Sequence, residues 1–381
     1  MPDDADLLPV SLLRRRFPDL EVQRLFLQLS PARILPIGNL SIASLRRKWH
    51  LCVKAFASKE NVGEIEERSF LSDGHRVRLR TYAPLRQVGK PARPALLWIH
   101  GGGFVIGDLA TAGSACRKLA NQCGCLVIAV EYRLAPEFPL TVGLQDCVRA
   151  FEWIAAHAAE LGVDPDRIAV GGDSAGGALA ALVAQRLAKA DGSRPNAQVL
   201  VYPATDLRAT YPEDRTAPRA NRMLGELFRW LQTQIRSSDL KNPALSPALA
   251  GDVSDVAPAI VVTAGFDPLR DDGLAYARRL SGQGVPVRLL HFPGQFHGFL
   301  SFDAVLHGGE LAFRQIGGAY RGLFETGRLE AGVTSTEVTS PRSWGWLWLR
   351  PSQRLKELVV ALQIARDELQ RLYPSTRLSA S

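Results

Sequence analysis

One serine in this chain is set among glycines, where little could crowd it: residues 171–180 read GGDSAGGALA. Upstream, Arg167-Ile168-Ala169-Val170 has the short, β-branched pattern of a buried strand, and residues 178–184 are rich in helix formers. Ser174 therefore falls on a strand-to-helix turn. Gly172-Asp173-Ser174-Ala175-Gly176 has the G-x-S-x-G spacing, which lets the backbone bend tightly and pushes the serine oxygen outward. A serine hydroxyl is a weak nucleophile at neutral pH. It needs a base within hydrogen-bond reach and donors placed where an oxyanion develops.

Donors are available after the apolar run 95–99, where the chain reads His100-Gly101-Gly102-Gly103-Phe104. Glycines let backbone N–H groups approach an oxygen with no Cβ in the way. The N–H of Ala175, directly after the serine, is the expected companion donor. For this motif order the acid and then the base follow the serine. His291, His297 and His307 are the histidines downstream of Ser174. His291 falls inside an apolar strand and suits a core role, and His307 opens a helix. His297 stands in Pro293-Gly294-Gln295-Phe296-His297-Gly298-Phe299, just past a strand, where an imidazole reaches back. Asp267 follows the strand 259–263 through Ala264-Gly265-Phe266, whereas Asp271 and Asp272 open the next helix and suit its dipole. Ser174, Asp267 and His297 form the expected catalytic set.

The elements that must position these residues are legible as a rhythm. Residues 65–70 and 76–82 alternate like strands around Ser72-Asp73-Gly74, and apolar strands are expected at 95–99, 126–130, 168–171, 199–202, 259–263 and 287–292. Helical stretches lie near 113–122, 143–159, 176–189, 271–282 and 307–324. Such alternation predicts an α/β fold with a mostly parallel central sheet covered by helices on both faces. Residues 1–63 read as a helical N-terminal flank or cap, 64–325 as the catalytic domain, and about 207–250 as a helical cap insertion. Residues 326–381 read as an extension: a polar loop, then Trp344, Trp346 and Trp348, then an amphipathic helix in which Leu355, Leu362 and Leu369 recur every seven residues.

Together HGGG, GDSAG, FDP and FHGF resemble the hormone-sensitive-lipase-like esterases, a group of α/β-hydrolases, from about residue 64 to 325. Glu131-Tyr132-Arg133-Leu134-Ala135-Pro136-Glu137 and Asn242-Pro243-Ala244-Leu245-Ser246-Pro247 support the likeness. The resemblance implies the α/β-hydrolase fold with Ser174 as nucleophile, His297 as base and Asp267 as its orienter. It implies Gly102, Gly103 and Ala175 as oxyanion donors, with His100 bracing the loop rather than reacting. Two departures stand out. Glu137 runs straight into Phe138-Pro139, two residues short of the usual spacing, and Ala178 replaces a common asparagine. The implied activity is hydrolysis of short- to medium-chain carboxylic esters through an acyl-enzyme, with no cofactor and no metal. Hydrolysis of amides or carbamates by the same residues, or a non-catalytic small-molecule receptor of this fold, are the alternatives.

Bulk composition sets limits. The net charge of +8 lies in the flanks: residues 1–60 hold ten Lys/Arg against six Asp/Glu and 326–381 hold eight against five, while the middle is nearly neutral. A nucleic-acid partner would demand a concentrated basic face, so none is expected. The acidic start MPDDADLLPV builds no apolar signal segment, and five cysteines without framework spacing fit a reducing compartment, so a cytoplasmic protein is expected. Cys123 and Cys125 are too close for a usual zinc or redox pair and read as packing. Burial of the tail helix on protein, in a homo-oligomer or on the N-terminal flank, is expected ahead of peripheral membrane contact.

Overall fold

The alternation of strands and helices resolves into one nine-stranded sheet among the described residues, in the spatial order 65–72, 75–82, 126–130, 93–99, 163–173, 198–201, 259–266, 287–296 and 332–335. The computed structural model describes residues 17–28, 41–85, 92–210 and 219–338. Helices α1 (Leu20–Gln28) and α2 (Ile42–Phe56) precede the hairpin β1 (Ile65–Ser72) and β2 (His75–Tyr82). The core then runs β3 (Arg93–Ile99), α3 (Gly113–Cys123), β4 (Leu126–Val130), α4 (Leu140–Ala156), β5 (Val163–Asp173), α5 (Ala175–Ala188) and β6 (Gln198–Val201). Helices α6 (Arg219–Thr233) and α7 (Ser237–Lys241) interrupt it before β7 (Ala259–Phe266), α8 (Arg270–Gly282), β8 (Val287–Phe296), α9 (His307–Thr326) and β9 (Gly332–Ser335).

The first two pairings, β1 with β2 and β2 with β4, are antiparallel, and every later one is parallel. Asp73 and Gly74, both at positive φ, close the hairpin as a two-residue turn matching the right-handed twist of its strands. Side chains alternate across the sheet. Ala95, Leu97 and Ile99 of β3 join one core with Leu144 and Phe151 of α4 and Leu179 and Val183 of α5. Leu96 and Trp98 join the other with Leu119 of α3 and Phe313 and Ile316 of α9. Because helices cover both faces, the central strands are apolar throughout and give no alternation to read, only their shortness.

The structure differs from the sequence reading at several boundaries. Strand β8 continues through Phe296 instead of ending at residue 292, pairing Phe296 with Phe266 after a register shift, so Pro293-Gly294-Gln295 is strand rather than loop. Strand β9 pairs with β8 where a polar loop was expected; edge strands need little apolar character. Helix α4 starts and ends three residues early, at Leu140–Ala156. Cys123 ends α3, Cys125 lies next to β4, and all five cysteines are free. No helix among the described residues is long and apolar enough to cross a membrane. The three alternating tryptophans and the heptad-patterned tail helix lie outside the described residues.

Candidate active site

Strand β5 ends at Asp173, and Ser174 turns the chain at φ 57°, ψ −119° before α5 begins at Ala175. That left-handed backbone costs a non-glycine residue energy, and neighbouring contacts hold it: the Ser174 N–H donates to Val201 O at 2.8 Å, and Ser174 O accepts from Ala178 N at 3.1 Å and Ala204 N at 3.2 Å. The glycines of GDSAG have a steric cause. A Cβ on Gly172 would lie 2.4 Å from Ile99 O, and one on Gly176 2.0 Å from the same atom. The elbow is pressed against the end of β3, with no room for side chains.

His297 follows β8 directly, with Gly298 at φ 84° behind it. Its Nε2 lies 2.9 Å from Ser174 Oγ and its Nδ1 2.8 Å from Asp267 Oδ2. An ionised carboxylate only accepts, so Nδ1 carries the proton and Nε2 is free to take one from the serine. Asp267 Oδ1 accepts the Leu269 N–H at 2.7 Å, which orients the carboxylate. All three side chains are buried or nearly so. Tyr202 from the end of β6 and Phe228 from α6 pack on the imidazole, with ring centroids 4.6 and 4.9 Å away. Distances of this kind suit transfer of a proton from serine to histidine.

The HGGG loop comes from the end of the neighbouring strand β3. Gly102 and Gly103 sit at φ 119° and φ 60°, where L side chains are strained. The loop is fastened on several sides. Gly101 N–H donates to Asp173 Oδ1 at 3.0 Å, and Gly102 O accepts from Val105 N at 3.1 Å and Ile106 N at 3.0 Å. His100 Nδ1 donates to Gly101 O at 2.8 Å; a carbonyl only accepts, which settles the tautomer. Burial holds the His100 pKa below its ordinary value, keeping the ring neutral, and it stacks on Tyr132, whose hydroxyl donates to His100 O at 2.9 Å. Ala175 opens α5, so its N–H belongs to the first turn, whose donors have no partner within the helix.

The structure therefore brings Ser174, Asp267, His297, the glycine loop and Ala175 to one end of the sheet. It leaves His291 buried against Thr263, 2.9 Å from Nδ1 to Oγ1. His307 lies partly exposed beside Glu310 at the start of α9. Asp271 pairs with Arg270, and burial raises the Asp272 carboxyl to about 7. Among the described residues no group of three or more His, Cys, Asp or Glu is placed to hold a metal ion.

Sequence reasoning missed Asp173 as a loop anchor, treating it as one of the elbow's spacers; burial raises its carboxyl to about 6. It also missed Leu231, whose Cδ1 lies 2.5 Å from where a Gly103 Cβ would stand. Leu231, Phe228, Leu207 and Leu269 bound a cavity of about 50 Å³ beside Ser174. Only the amphipathic pattern of α6 hinted at that role.

Residues 96–301 match the model of a family described as having the alpha/beta hydrolase fold. The chain belongs to that family, whose members include the hormone-sensitive-lipase-like esterases. It is 35% identical to an ethyl acetate hydrolase of Pseudomonas putida over 282 residues, spanning 73% of this chain and 89% of that protein. It is 40% identical to the carboxylesterase NlhH of Mycobacterium tuberculosis over 250 residues, 64% and 77% of the two chains. Among solved structures, a hyperthermophilic esterase from the archaeon Pyrobaculum calidifontis superposes with a TM-score of 0.72 at 32% identity, covering 81% of this α/β-hydrolase and 99% of that chain.

Proposed function

We propose that this α/β-hydrolase cleaves small-molecule carboxylic esters with short- to medium-chain acyl groups through an acyl-enzyme on Ser174. Ser174 Oγ attacks the ester carbonyl carbon while its proton passes to His297 Nε2. The Asp267 carboxylate holds the imidazole and stabilises it when it is charged. The carbonyl oxygen becomes an oxyanion facing the N–H groups of Gly102, Gly103 and Ala175. The C–O bond then breaks, and the departing alkoxide takes the proton back from His297. Water then gives a proton to the same nitrogen as it attacks the acyl carbon; the bond from that carbon to Oγ breaks, His297 returns the proton to Oγ, and the carboxylic acid leaves free Ser174 behind.

The observation that carries this reading is the continuous hydrogen-bonded path from Ser174 Oγ through His297 to Asp267. Similarity to proteins named esterases and an ethyl acetate hydrolase supports the bond type. The pocket beside Ser174 supports the acyl class: it is small, about 50 Å³, and walled by Leu207, Phe228, Leu231 and Leu269. An intact His297 in reach of Ser174 weighs against a receptor without catalysis. Five free cysteines support a reducing, cytoplasmic setting.

The test is Ser174→Ala assayed with p-nitrophenyl esters from acetate to palmitate. Turnover should fall on the order of 10⁴–10⁶-fold, and an organophosphate should label wild-type protein once per chain, at Ser174. Near-wild-type hydrolysis by the purified variant would end this reading.

A further inference from the structure

The N-terminal helix α2 sends one side chain into the back of the glycine loop. Arg46 Nε donates to Val105 O at 2.8 Å, and Nη2 donates to Ala135 O at 3.2 Å. The same guanidinium meets Glu137 with Nη1 and Nη2 each 2.8 Å from a carboxylate oxygen. These side chains are 33% and 50% exposed, so the ion pair itself contributes little stability. What Arg46 does to the backbone is the more telling feature.

Val105 C=O and the Ile106 N–H are the two ends of one planar peptide, pointing in opposite directions. The Ile106 N–H donates to Gly102 O, and Gly102 C=O shares its own peptide with the Gly103 N–H. A chain of two peptide units therefore runs from the guanidinium to the N–H read above as an oxyanion donor. Hydrogen bonds in such chains polarise one another, and a cation at the carbonyl end makes the terminal N–H a stronger donor. Ala135 ties the loop from the same side, its N–H donating to Phe104 O at 2.9 Å. Glu137 and its unusually short link to Phe138-Pro139 thus belong to the element that receives Arg46.

We propose that Arg46 is a positioning residue, which sets the orientation and donor strength of the Gly103 N–H through the Val105–Ile106 and Gly102–Gly103 peptides. This rests on the proposed function and extends the active site to a helix that touches neither substrate nor the reacting atoms. Cooperative strengthening of about 10–30% per bond, applied to a donor worth about 10²–10³ in turnover, predicts an effect of roughly 2- to 8-fold.

The experiment compares Arg46→Met and Glu137→Gln with wild type, measuring kcat per organophosphate-titrated site, KM for p-nitrophenyl butyrate, and inhibition by a trifluoromethyl ketone, whose serine adduct carries the oxyanion. Arg46→Met should lose about 2- to 8-fold in kcat and in ketone affinity with KM unchanged. Glu137→Gln, which breaks the ion pair but leaves the cation on Val105 O, should lose neither. Equal losses in both variants, or a loss confined to the titre of active sites, would mean that Arg46 is only a staple, and so would unchanged ketone affinity in Arg46→Met. Wild-type protein that binds the trifluoromethyl ketone no better than the matching methyl ketone would instead refute the oxyanion site, and the Arg46 proposal with it.

Discussion

Replacing Asp173 by asparagine should stabilise the protein at neutral and alkaline pH. Asp173 lies behind the glycine loop, accepting the Gly101 N–H at 3.0 Å, and burial lifts its carboxyl from the ordinary 3.8 to about 6. A native carboxyl that binds its proton more tightly than the unfolded one contributes its full stability below pH 3.8. That contribution is lost progressively as pH rises to about 6 and is gone above it. At about 1.4 kcal/mol per pH unit, the ionised native form costs up to about 3 kcal/mol. Asparagine keeps an amide oxygen to accept from Gly101 and cannot ionise. Urea unfolding followed by tryptophan fluorescence at pH 5, 6, 7 and 8 should show Asp173→Asn gaining stability up to about pH 6 and holding a constant advantage beyond. The midpoint should move without a change in slope. A gain of the same size at every pH, or a loss at pH 8, would show that the Asp173 carboxylate is not paying a burial cost and that the reasoning fails.

The cap and the elbow give two more expectations. Leu231→Ala should lengthen the cavity over Gly103, raising the ratio of hexanoate to butyrate kcat/KM by up to about 15-fold at roughly 0.8 kcal/mol for each of two further buried methylenes; an unchanged ratio would remove α6 from the acyl pocket. Gly176→Ala would place a Cβ 2.0 Å from Ile99 O and 2.6 Å from His100 O, so it should cost at least about 3 kcal/mol of stability. Thermal unfolding at the wild-type midpoint would show that the elbow is not pressed on β3.

Much of the site is legible because its parts are local. A β-branched run, GDSAG and a helix-forming stretch specify a strand, a turn and a helix within a few residues, and Ser174 stands on that turn in the structure. Asp267 and His297 stand a few residues past the strands expected at 259–263 and 287–292, and chain order puts them ahead of His291, His307 and Asp271; in the structure β7 and β8 run on to Phe266 and Phe296, directly before them. What the sequence could not disclose lies between distant segments. Arg46 meets Val105 59 residues away, and His297 meets Ser174 across 123. Leu231 and Phe228 sit on a surface helix whose apolar stripe says that something is covered, not that it is Gly103 and the His297 ring. The extent of β8 and the presence of β9 depend on pairing with neighbours, because a strand's ends are set by the hydrogen bonds its partners supply. Residue types and spacing determined which groups could react. Tertiary packing alone decided what holds them, since backbone carbonyls such as Val105 O and Gly102 O carry no side-chain signature at all.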